Sequence, residues 1–182
     1  MSGWIPAVLG LLFVINPPGV SHLTAWAPRA DPGWRRTVLP TLAGATVVLA
    51  VLVAFTGPLL DLLDLSVPTF RLGASVVMGI TGARWLVAPG TPIRSVETHR
   101  EGLTYLALSL LAPGPVFGAM VASADAGWVA GLVAVVVAGA GCALTLLSPR
   151  LSDYAGAAAA RLLGAATIVV AVAVGIDSAR TV

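Results

Sequence analysis

Six apolar runs, each about as long as a bilayer is thick, leave this chain only one kind of environment. Residues 4–27, 37–60, 67–87, 103–124, 128–147 and 154–176 all reach the roughly 20 residues that a spanning helix needs. Hydrophobic residues make up 58% of the chain and charged residues 10%, against roughly 25% charged in a soluble domain. Such a chain cannot cover a water-facing surface. The expected fold is all-α, a polytopic membrane bundle of six transmembrane helices forming a single membrane domain over 1–182, with the lipid bilayer as its partner. The linkers between the runs are short and polar and leave no room for a soluble domain.

Charge placement predicts orientation. Arg29, Arg35, Arg36, Arg94, Arg100 and Arg150 fall in the first, third and fifth linkers, with Arg84 and Arg161 near helix ends on that side. Only Arg71 and Arg180 fall opposite. The positive-inside rule then places the arginine-rich side in the cytoplasm and both termini outside. The Arg-only, Ala/Val/Gly-rich composition points to a GC-rich bacterial genome. The start, Met1-Ser2-Gly3-Trp4, lacks the basic region of a signal peptide, so the first helix is expected to be retained. A net charge of +2 without a basic, aromatic-rich face gives no support for nucleic-acid binding. The single Cys142 excludes an intrachain disulfide. With one Cys and two separated His, neither a protein metal site nor a bound cofactor is expected.

Within the first run lies Asn16-Pro17-Pro18-Gly19. Asn16 is the only Asn in a chain that has no Gln and no Lys. Two prolines remove backbone donors and cannot sustain a regular helix. A break at membrane depth is tolerated only where protein or a water-filled cavity satisfies the freed groups. The fourth run is interrupted in turn by Ala112-Pro113-Gly114-Pro115. Helix three begins Phe70-Arg71-Leu72-Gly73 and helix six contains Arg161-Leu162-Leu163-Gly164. Each half therefore reads as a broken helix, a plain helix and an Arg-Leu-small helix. Three is odd, so the halves enter from opposite sides, giving a 3+3 inverted repeat with a broken first helix in each half, about 1–90 and 101–180. Paired interruptions of this kind are the best sequence pointer to a transporter's binding site.

At these residues the chain resembles the MarC family of bacterial membrane proteins, within the LysE-type exporter superfamily. Asn16-Pro17-Pro18-Gly19 fits that family's Asn-Pro-x-Gly motif, and Phe70-Arg71-Leu72-Gly73-Ala74-Ser75 approximates its third-helix start. Pro113-Gly114 matches part of its Gly-Pro-Gly, Ala112 standing in for the first Gly. Arg161-Leu162-Leu163-Gly164 and Gly175 match its last helix. The resemblance implies a six-helix inner-membrane transporter. It implies no substrate.

The candidate substrate-binding residues are Asn16, Pro17, Pro18, Gly19, His22, Arg71, Ala112, Pro113, Gly114, Pro115 and Arg161. Asn16 has two open roles, contact with a solute or capping of the broken backbone. The helix starts after Pro17 and Pro113 would offer unpaired amides to an anion or carboxylate, so an anionic or zwitterionic small solute is favoured. His22 is a proton carrier or a packing residue. Arg71 snorkels to the headgroups or holds charge. Arg161 is expected to have a functional or interhelical pairing role. All eight acids fall in linkers or at helix ends, which disfavours coupling through a buried carboxylate. No nucleophile, metal cluster or acid–base pair shares one depth, so an enzyme is not expected. The expected function is a small-solute exporter working by alternating access around the two breaks. The alternative is a non-transporting membrane assembly or regulatory protein. A homo-oligomer is compatible with either.

Overall fold

The computed structural model describes residues 4–23, 32–89, 99–147 and 153–181. These form α1 (Trp4–Ile15), α2 (Pro17–Leu23), α3 (Pro32–Ala54), α4 (Thr56–Leu62), α5 (Val67–Val87), α6 (His99–Leu110), α7 (Pro113–Ala126), α8 (Trp128–Leu147) and α9 (Asp153–Ala179). The fold is all-helical across the described residues. The arginine-bearing first, third and fifth linkers fall largely outside them.

Within the described residues all six apolar runs form helices, but they are not six equal spans. Three helices are long and apolar enough to cross a membrane, Arg36–Ala54, Trp128–Leu147 and Ala155–Ala179. A fourth is reached only by joining α4 to α5 across a bend of 107°. The first and fourth runs are each split into two shorter helices, α1 with α2 and α6 with α7.

The α4–α5 corner follows from local chemistry. Asp64 takes a left-handed φ of 52°, and the Leu65 N–H reaches back to the Leu60 carbonyl at 3.0 Å. Together these form the six-to-one closure that ends a helix. Ser66 then caps α5, its Oγ accepting from the Thr69 N–H at 3.3 Å, with Pro68 in the first turn where no donor is needed. The backbone ladder of the second run continues through Phe55, and Pro58 removes one donor.

The perimeter is apolar, with Val47, Val136, Leu144, Leu162 and Val169 all exposed. Small residues lie inside, as expected where helices associate by close packing rather than by expulsion from water. The most extensive helix pair is α5 with α9. Its contact is backbone to backbone. A Cβ on Gly82 would lie 2.7 Å from the Gly164 carbonyl oxygen, and one on Gly175 would lie 2.9 Å from Ser75 Oγ. Hydrogen bonds supplement this packing, with Ser123 Oγ of α7 donating to the Val53 carbonyl of α3 at 2.9 Å.

Gly82→Leu should therefore destabilise the protein by about 1–3 kcal/mol or block folding, as overpacking does. Gly73→Ala meets open space and should be neutral or stabilising by up to about 1 kcal/mol. Thermal unfolding in detergent compares the two directly.

Candidate functional site

The first break is built around Asn16, which is fully buried with a left-handed φ of 54°. Its N–H closes α1 onto the Leu12 carbonyl at 3.0 Å, and its own carbonyl opens α2 by accepting from Val20 at 3.0 Å. The side chain does two further things. Oδ1 accepts from the Gly19 N–H at 3.1 Å, and Nδ2 donates to the Ala160 carbonyl of α9 at 2.8 Å. Of the two roles open in the sequence, the structure shows capping. Thr145 of α8 adds a tie, its hydroxyl lying 3.2 Å from the Pro17 carbonyl and 3.0 Å from that of Cys142.

This geometry removes the expected anion site. Pro17 and Pro18 carry no N–H, and the Gly19 N–H is taken by Asn16, so α2 begins without free amides. The second break behaves likewise. Pro113 and Pro115 leave Gly114 as the one donor among the first three residues of α7, and Ala112 caps it with extended backbone and no side-chain bond. The carbonyls of Phe13, Val14, Ser109 and Leu111 lose their donors to the same prolines, which leaves the negative ends of α1 and α6 at the breaks.

Gly19 and Gly114 serve close contact. A Cβ on Gly19 would fall within 2.6 Å of the Trp85 ring, and one on Gly114 would overlap the Thr81 side chain. Trp85 is thus half-buried over the first break. Trp4 and Trp128 remain exposed.

The two breaks approach each other. Ile15 and Leu110, which end the half-helices before each break, line one void with Leu42, Thr46, Val135 and Cys142. Gly118, one turn past Gly114, lies against Val14, a Cβ there meeting it at 3.3 Å. That void measures about 10 Å³, at or just under the space one water requires. The larger cavity, about 270 Å³, starts one turn from both breaks. Its walls come from α1, α5, α7 and α9 and include Gly10, Leu11, Met78, Gly118, Val121 and Val174.

Among the described residues Asp125 is the one charged residue on that cavity, and it belongs to a cluster that the sequence did not reveal. Arg71 Nε lies 3.0 Å from Asp125 Oδ1, and Arg71 Nη2 lies 2.8 Å from Asp177 Oδ2. The second contact is a hydrogen bond. The first is not aligned as one, and the buried Nε has no hydrogen-bond partner. Arg71 is therefore held between two acids rather than snorkelling. Asp125 lies just beyond the spanning run 103–124. Burial pushes its carboxyl above the usual 3.8, Arg71 pulls it down, and the Asp177 charge pushes it further up.

Arg161 is exposed and makes no ion pair among the described residues. His22 falls in α2, but its side chain lies outside the described residues, as do those of His99 and Asp153. No group of three or more His, Cys, Asp or Glu that could hold a metal occurs among the described residues. No protein-family model, curated protein or solved structure matches the chain.

Asn16→Gly keeps the backbone conformation and strands the Gly19 N–H, which should cost about 1–3 kcal/mol. Asn16→Ala adds a left-handed penalty of about 1 kcal/mol more. The order wild type, Gly, Ala in unfolding temperature checks both.

Asp125 should take up its proton above pH 3.8. Arg71→Gln should raise that midpoint further and Asp177→Asn should lower it, each read from the side-chain carboxyl carbon shift against pH. Because the folded value is raised, this group's contribution to stability grows as pH falls through that value and is complete below the unfolded one.

Proposed function

We propose that the chain is a small-solute transporter of the bacterial inner membrane, an exporter of the kind the MarC resemblance implies, working by alternating access around its two broken helices. The observation that carries this reading is the convergence of the breaks. Ile15 and Leu110 meet on one void, and a solute-sized cavity begins a single turn from each break. A transporter whose broken helices border its solute cavity would have this arrangement.

The helix neighbours support a 3+3 inverted repeat. In such a repeat α2 corresponds to α7, α3 to α8 and α5 to α9. The α2–α9 pair then has its counterpart in α7–α5, and α2–α8 in α7–α3, and all four pairs are in contact. Placing the arginine-rich linkers in the cytoplasm sets the Arg71 end, with its cavity, toward the outside. Tight packing between the breaks, where the void holds at most about one water, favours the second reading, a non-transporting assembly or regulatory protein.

Single cysteines at Leu11 and Val121, introduced into a Cys142→Ala background, separate these readings. A transporter should let a membrane-impermeant thiol reagent reach both positions from the outside. Gly118→Trp, which fills the cavity floor, should abolish solute flux in a metabolite comparison of vesicles with and without the protein. Absence of labelling from either face, with no solute difference between vesicles, would leave the non-transporting reading.

A further inference from the structure

We infer that the cavity beneath Arg71 binds a small apolar monocation, an amine whose ammonium group pairs with Asp125 and whose hydrocarbon body fills the space between α1, α5, α7 and α9. As the solute class of the transporter this rests on the reading above. As a binding site it rests on the cavity and the charges alone.

Size comes first. At about 270 Å³ the cavity falls just below the roughly 300–1,000 Å³ typical of ligand pockets, so its occupant is a compact molecule. The lining comes second. Apart from Asp125, the wall side chains are Ala, Leu, Met, Pro and Val, with Gly between them. A sugar or peptide would leave its polar groups unpaired there, at a cost of about 1–3 kcal/mol each.

Charge decides the rest. Among the described residues Arg71 is the single cation paired with the two carboxylates, so this three-residue cluster carries an excess negative charge. Arg180, exposed at the end of α9, pairs with neither acid among the described residues. The helix ends add to this. Asp125 is next to last in α7 and Asp177 third from last in α9, where the backbone dipole contributes about half a negative charge at each end. Acids are normally found at the opposite, positive end. Asp125 is also the less firmly held of the two, since its Arg71 contact lacks hydrogen-bond alignment. An ammonium group entering the cavity meets a carboxylate free to receive it. A carboxylate ligand would have to displace both acids from Arg71 within a field of its own sign. The freed carbonyls before both breaks have the same preference. The structure thus favours a cation over the anionic or zwitterionic solute expected from the sequence.

Calorimetric titration of the purified protein in lipid nanodiscs tests this, with phenethylamine, phenylethanol, 3-phenylpropanoate and phenylalanine as probes near neutral pH. Phenethylamine should bind at least tenfold more tightly than the other three. Asp125→Asn should weaken it tenfold or more. Ala122→Leu, which fills the cavity from a buried wall position, should abolish binding while the unfolding temperature stays within a few degrees. Equal binding of the alcohol, or amine binding indifferent to both substitutions, overturns the proposal. Amine binding in detergent that vanishes in nanodiscs assigns the cavity to a lipid chain and also overturns it. Proteoliposome flux separates the two readings. Amine binding without flux removes transport and keeps the site, whereas flux of other solutes without amine binding removes the site and keeps transport.

Discussion

A helix that stops inside hydrocarbon must have every freed backbone group answered by the protein itself. The organisation of this molecule follows from how Asn16 meets that demand. Three requirements coincide at one position: a left-handed φ, an acceptor for the Gly19 N–H, and a donor for the Ala160 carbonyl. Gly meets only the first, Asp would bury a charge, and Ser offers a single short hydroxyl. Asn alone meets all three, in a chain that has no other amide side chain to offer. The prolines belong to the same solution. They leave α2 with only one early N–H to satisfy, and that one lies within reach of the side chain at 16.

The polar resources of the chain are consequently divided. At the first break they are spent on structure, with the Asn16 amide, the Thr145 hydroxyl and the Gly19 N–H engaged internally. The paired charges gather at one end of the bundle, where Arg71, Asp125 and Asp177 come from three helices. A cavity connects the two regions, and its walls are nearly featureless. Any selectivity it has must come from shape and from the sign of the charge at its end, since there is no array of hydrogen-bonding groups to read a solute in detail.

Much of this was legible in the sequence. The helical runs, both interruptions and the unusual character of Asn16 follow from hydropathy, proline chemistry and the scarcity of amides. Arg71 could be singled out by its depth, but its partners could not. Asp125 and Asp177 are 54 and 106 residues away, and linear order presents them only as acids near helix ends. One signal was available: both sit at the C-terminal end of a helix, against the dipole. Gly19 and Trp85 are a similar case. A glycine after two prolines suggests backbone freedom and a tryptophan near a helix end suggests an interface anchor, yet each is explained by the other. The α4–α5 corner, in contrast, is spelled out in adjacent residues, Asp64 for the left-handed turn, Ser66 for the cap and Pro68 for the first helical turn.

The position of Cys142 has a practical consequence. It is fully buried and shares its small void with Ile15 and Leu110, the last residues before each break. The only thiol in the chain is therefore seated at the seam between the two interrupted helices. While that seam stays shut the sulfur has no access to reagents, and any rearrangement that parts the half-helices uncovers it. In the unaltered protein the rate of thiol modification therefore measures how often, if ever, the half-helices part.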